Sequence, residues 1–204
     1  MVFGDLGVPV AWSTAKVPVA LAMERAPQGA ALRADMRAAI TVSDNEAALV
    51  LWQALGAPQE AATATDRVLR DYGDPVTQTQ AQQVRPPFTA FGQTPWALAD
   101  QVRFGAALPC RAEATEVYAA MGQVVPDQRW GLGRLPGAHF KGGWGPATNG
   151  GYLVRQFGVV DTSRGRVAVA MAVEAPTFVA GTAALSMAAA WLEGHLDGLP
   201  AGSC

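Results

Sequence analysis

Ser13 and Lys16 stand three residues apart in Trp12-Ser13-Thr14-Ala15-Lys16, and on a helix that spacing puts both side chains on one face. A serine hydroxyl becomes a useful nucleophile when a base takes its proton, and a neutral lysine amine is such a base. Arginine cannot fill that role, because it keeps its proton at ordinary pH. Of the 15 Lys and Arg side chains only two are lysines, Lys16 and Lys141. Desolvation or a second cation makes a lysine neutral, and Lys141, in Phe140-Lys141-Gly142-Gly143, is the candidate second cation. Ser13 at a helix N-terminus would also lie beside backbone N–H groups able to face a developing oxyanion. Against this, Ser-x-x-Lys is a common tetrapeptide, and a composition rich in Ala, Gly and Arg depletes lysine everywhere.

Ser43-Asp44-Asn45-Glu46 offers a second group of polar side chains. Its plain reading is a capping box, Ser43 paired with Glu46 directly before an apolar helical run. Two cysteines and two histidines lack metal-ligand spacing, so no metal site and no cofactor is expected. His139 shares a strand face with Lys141 and is either structural or a lining residue.

These residues need elements to carry them. Ser13 to Glu24 reads as a largely buried helix, Gln28 to Ile40 as a second with Leu32, Met36 and Ile40 on one face, and Ala47 to Leu55 as a third. Pro58 to Tyr72 is amphipathic and ends at Gly73-Asp74-Pro75, where a helix-ending turn is the simplest role for Asp74. Val76 to Gln93 has no period and reads as a long ordered loop. Thr94-Pro95 predicts a capped helix start leading into Trp96 to Leu108, and Arg111 to Gly122 makes another helix. After Pro126 the pattern changes. His139 to Trp144, Gly151 to Asp161 and Gly165 to Glu174 read as three consecutive antiparallel strands with turns between them. Thr177 to Leu196 closes the chain as an Ala-rich helix.

The 204 residues suffice for one substantial core and show no linker, so a single domain spanning 1–204 is expected. A net charge of −2 gives no basic face for nucleic acid. The longest apolar run, Phe178 to Leu192, is interrupted by Gly181, Thr182 and Ser186, which argues against a membrane span. Met1 to Gly7 shows no secretory signal pattern, so the expectation is a cytosolic protein or a missing true N-terminus. Cys110 and Cys204 either pair or are two unrelated thiols. Nothing in the sequence sets an oligomeric state.

Ser-x-x-Lys at Ser13, Ser-Asp-Asn at Ser43 and Lys-Gly-Gly at Lys141, in this order and with the last on a strand, resemble the serine β-lactamase and penicillin-binding protein family, nearest to class A. The likeness covers nearly the whole chain. It implies an α/β (α+β) β-lactamase/transpeptidase-like sandwich, an antiparallel sheet with a mainly helical region, and a serine hydrolase or acyltransferase taking a β-lactam, a peptidoglycan-like peptide or an ester. Ser13 would be the acylated nucleophile and Lys16 its base or proton relay. Ser43 would pass a proton to the leaving nitrogen, and Asn45 would bond the substrate's amide side chain. Lys141 would attract a substrate carboxylate. Gly143 and Trp144 would line the substrate, with the Ser13 and Trp144 N–H groups as oxyanion hole. An extracytoplasmic or secreted location is what this resemblance implies, together with a Cys110–Cys204 bridge if the two cysteines pair.

The chain departs from the family pattern in four places. Gly142 stands where the family carries Thr or Ser, removing a hydroxyl that helps bind carboxylate; Arg155 on the next strand would compensate if it is not simply a surface arginine. The loop glutamate that activates the deacylating water has Asp74 as its nearest analogue. Only 29 residues separate Ser13 from Ser43. Finally, two family strands should precede the serine helix, so a truncated or smaller sheet is expected, with Val167 to Val173 as an exposed edge. A binding or structural protein that keeps the fold without efficient catalysis is the rival reading.

Overall fold

The computed structural model describes residues 1–204. Seven α-helices and three strands make up its regular framework: α1 (Lys16–Glu24), α2 (Arg33–Thr41), α3 (Asn45–Ala54), α4 (Pro58–Asp71), α5 (Leu98–Ala107), α6 (Thr115–Met121), β1 (Ala138–Pro146), β2 (Tyr152–Thr162), β3 (Gly165–Ala175) and α7 (Phe178–Glu193). The strands form one antiparallel sheet in the order β1-β2-β3. Its register pairs Lys141 with Phe157, Gly143 with Arg155, and Arg155 with Ala172.

The sheet separates two apolar cores. On one face the helices gather around α1, whose residues Lys16 through Met23 are all buried, as expected for a helix that is apolar on every side. Trp96, Phe104 and Phe157 link this core to the sheet through mutual ring contacts of 5.4 to 5.9 Å. On the other face α7 covers a smaller core that includes Leu132, Phe140, Val160, Ala189 and Leu192. The result is helices on sheet on helix, the sandwich that the order of elements predicts. No helix is long and apolar enough to cross a membrane.

Two expectations need correction. Thr94-Pro95 does not open a helix: Pro95 forms a β-bridge with Val10, and α5 begins only at Leu98. The Thr94 carbonyl accepts from Ala11 N, and its hydroxyl accepts from Gln80 N, so both groups are drawn into tertiary bonds instead of a cap. The β3 edge is also less bare than predicted. Arg166 pairs with Gly202 in a β-bridge, and Cys204 is disulfide-bonded to Cys110, so the C-terminal tail is strapped along one end of that edge. Such cover limits edge-to-edge pairing.

Candidate active site

Ser13 sits in a short 3-10 turn, Trp12–Ala15, that runs into α1. Two non-glycine residues of the chain have positive φ, Trp12 at 47° and Ser43 at 59°. One precedes Ser13 and the other is itself a candidate site residue. Left-handed backbone is costly for a side-chain-bearing residue and persists where the surrounding structure holds it. Here the hold on Trp12 is visible. Thr14 N and the Thr14 hydroxyl both donate to the Ala11 carbonyl, Gln101 Nε2 donates to Thr14 Oγ1 at 3.0 Å, and Arg155 Nη2 donates to Gln101 Oε1 at 2.7 Å. A buried polar chain thus runs from β2 through α5 to the turn that presents Ser13.

Strand β1 approaches that turn closely enough to require glycine. A Cβ on Gly143 would stand 2.9 Å from the Ala11 carbonyl oxygen and 3.0 Å from the backbone nitrogens of Ser13 and Thr14. Gly143 therefore acts through what it lacks, letting β1 lie against the Ser13 amide.

The capping-box reading of Ser43 gives way to a different cap. Asp44 is the N-cap of α3, its carboxylate accepting from Ala47 N at 3.0 Å. That frees Ser43 for other partners. Lys141 Nζ donates to Ser43 Oγ at 2.8 Å and to the Gly142 carbonyl at 3.0 Å. Lys16 Nζ donates to the Ser43 carbonyl at 2.5 Å, to Asn45 Oδ1 at 2.7 Å and, more distantly, to Ser43 Oγ at 3.4 Å. The structure thus brings Lys16, Ser43, Asn45 and Lys141 into one hydrogen-bonded cluster beside the Ser13 turn.

Both lysines are 1% exposed. Burial pulls the Lys16 pKa down to about 7, with Asp44 pulling the other way. Burial, and then the neighbouring charge of Lys16, pushes Lys141 well below the usual lysine range. Two amines in one desolvated cluster cannot easily both stay charged. A neutral Lys16 donates two hydrogens, which its two shortest bonds account for, and keeps one lone pair. Asn45, its Oδ1 committed to Lys16, keeps its amide N–H groups for a ligand. Ser43 Oγ accepts from Lys141, so its own O–H proton is the part left to give.

Arg155 and Asp74 lie outside this cluster and are enclosed in the interior. Arg155 is 0% exposed and is neither a surface arginine nor a substrate contact. It donates to the Pro9, Val10 and Trp96 carbonyls at 2.8 to 2.9 Å as well as to Gln101. No carboxylate is among these partners, and burial alone lowers its pKa to about 9, which leaves it charged at neutral pH. Asp74 is likewise 0% exposed. Its Oδ1 accepts from Val76 N and Thr77 N, its Oδ2 from Trp96 Nε1 at 2.8 Å, and Arg70 lies 3.7 Å away. Asp74 thus serves as a turn carboxylate, its Oδ1 tied to the following backbone and its Oδ2 to Trp96, inside the fold and not at its surface. His139 is also structural, stacked on Tyr118 at 4.1 Å and bonded to the Tyr118 carbonyl.

Asp74→Asn is accordingly expected to lower stability by about 1 to 3 kcal/mol, because the buried Trp96 N–H loses its acceptor. Its rate of acyl release per folded molecule should match the parent's. Urea denaturation and single-turnover release measure the two, and slower release with intact stability would return Asp74 to the chemistry.

Sequence reasoning missed Thr14 and Gln101, which position the Ser13 turn. Gln101 carried a signal: a glutamine fully buried in a helix beside Phe104 and Gly105 needs a buried partner.

Comparison with known proteins gives no matching family model and no matching curated protein. Solved structures do match. A class A β-lactamase from Mycobacterium abscessus aligns with a TM-score of 0.68 at 18% identity, over 93% of this chain and 85% of that one. A β-lactamase from Burkholderia vietnamiensis gives 0.68 at 18% over 94% and 84%. The chromosome-encoded β-lactamase of Vibrio parahaemolyticus gives 0.65 at 16% over 92% and 85%. Read with the element order around Ser13, Ser43 and Lys141, these likenesses show that the chain has the serine β-lactamase-like fold.

Proposed function

We propose that this protein is a serine acyl-transfer hydrolase that forms an acyl-enzyme on Ser13 with a β-lactam, peptide or ester. The observation that carries the reading is the desolvated Lys16–Ser43–Lys141 cluster beside the Ser13 turn. As the Ser13 oxygen attacks the substrate carbonyl, its proton passes to the lone pair of neutral Lys16. The C=O π pair moves onto oxygen, forming a tetrahedral oxyanion. Ser13 N–H lies against β1. Residues alternate sides on an antiparallel edge strand, so the Trp144 N–H shares the outward side with the Gly142 carbonyl that Lys141 bonds. Those two amides are the oxyanion donors of this reading. Collapse breaks the bond to the leaving atom, which takes the Ser43 proton. Ser43 is reprotonated from Lys16 along their contact, returning the base to its neutral form.

The support is stronger for acylation than for release, because Asp74 is committed to the backbone and Trp96. An acyl-enzyme that accumulates is the expected behaviour. A fluorescent penicillin and an activated aryl ester, each incubated with the parent and with Ser13→Ala, test the reading. Covalent mass on the Ser13 peptide of the parent and none on the variant is expected. No adduct with either reagent would favour a fold kept for binding alone.

A further inference from the structure

We propose that the site selects acyl donors carrying a neutral aromatic or flat apolar group where they meet β1, in preference to donors bearing a carboxylate there. This rests on the acyl-transfer reading above and names its substrate class.

The argument starts at Gly142. A Cβ on Gly142 would stand 3.1 Å from Trp130 Cζ2 and 3.2 Å from Trp130 Cη2, so an indole already fills the space a side chain would take. Trp130 packs edge-on against Trp144 at 6.1 Å and against Phe178 at 6.0 Å. Trp144 contacts Phe178 at 5.2 Å, and Tyr152 joins at 6.2 Å. All four rings are partly exposed, forming an aromatic shelf beside the strand that carries Lys141. Its donor beside Gly142 is the Trp130 indole N–H, buried and without an acceptor. Its burial keeps that N–H from reaching a carboxylate on a ligand.

The two lysines and Arg155 are already committed. Lys141 is buried and donates to Ser43 and to the Gly142 carbonyl. Lys16 faces Ser43 and Asn45. Arg155 is enclosed under the sheet on four oxygens. Arg129 and Arg85 have no carboxylate partner, but they rest over Phe140 and over Trp12 and Phe88, and neither lies over a ring of the shelf. A carboxylate brought against the shelf would lose water without gaining an ion pair. A flat apolar group would gain ring contacts at no such cost.

The test compares phenyl phenylacetate with its 3-carboxyphenyl ester, which carry the same acyl group and differ by one carboxylate on the leaving group. Acylation of the parent, read as kcat/KM divided by the uncatalysed hydrolysis rate, should favour the neutral ester by at least about tenfold, the scale of one such contact difference. Equal rates, or a faster carboxylate ester, would overturn the inference while leaving acyl transfer on Ser13 intact. If neither ester leaves acyl mass on Ser13, the acyl-transfer reading fails and takes this one with it. Trp130→Ala combined with Gly142→Thr opens the shelf and adds a hydroxyl. In that variant the preference should shift toward the carboxylate ester by about tenfold. Because the parent comparison needs no variant, a double mutant that does not fold leaves the test decisive.

Discussion

Lys16→Met is expected to slow acylation of Ser13 by about 10²- to 10⁴-fold, the usual contribution of a positioned general base. Methionine matches the length and suits the buried surroundings, so the fold should survive a change that removes only the amine. The parent should reveal the same group through pH. With the Lys16 pKa lowered to about 7 by burial, the base is protonated below that value and neutral above it. Acylation should rise through pH 7 and level off above it, and Lys16→Met should lose that limb. The linkage sign agrees: the unfolded lysine keeps its proton up to about its ordinary 10.5. Between those values the unfolded chain binds more protons, and this group makes the fold more stable as pH rises. Stopped-flow acylation from pH 5.5 to 9 checks the first claim. A flat profile in the parent would remove Lys16 from the role of base.

Arg155→Met carries the largest expected loss of stability. Four oxygens on three segments share this guanidinium: the Pro9 and Val10 carbonyls, the Trp96 carbonyl and Gln101 Oε1. Removing it strands those acceptors in the interior, at about 1 to 3 kcal/mol each before relaxation. Relief of the buried charge offsets part of that, since no carboxylate neutralises it. A net loss of about 3 kcal/mol or more is expected. Arg155→Lys should recover little, because one ammonium cannot reach the spread of oxygens that a planar fork can. Urea midpoints for the three proteins decide the matter. A midpoint for Arg155→Met equal to the parent's would mean that the four bonds contribute nothing net. The variant should also acylate more slowly even where folded, because Gln101 and Thr14 hold the Ser13 turn through this same arginine.

The sequence showed the framework well where a local pattern decided the outcome. The strand meander after Pro126 and the buried helix behind Ser13 both follow from periodicity and turn residues. Reading failed where a side chain's surroundings come from distant segments. Arg155 looks like an ordinary strand arginine until Pro9, Val10, Trp96 and Gln101 are seen around it. Thr94-Pro95 has the composition of a helix start, yet Val10 and Ala11 claim its backbone for a bridge. At Ser43 the cap was misplaced by one residue, because Ser43 and Asp44 are both good capping residues and the left-handed φ of Ser43 is invisible in sequence. The aromatic shelf was missed for the same reason: Trp130, Trp144, Tyr152 and Phe178 come from four stretches of chain.

The burial of both lysines gives the folded protein an unusual proteolytic signature. A lysine-specific endoprotease has two internal bonds to attack, after Lys16 within α1 and after Lys141 within β1. Both lie in hydrogen-bonded elements with buried side chains, so cutting requires the site itself to come apart. Cleavage rate should therefore follow opening of the Lys16–Ser43–Lys141 cluster, and a tightly held covalent adduct on Ser13 should suppress it. Limited digestion with and without such an inhibitor, read by mass, would report the integrity of the site independently of turnover.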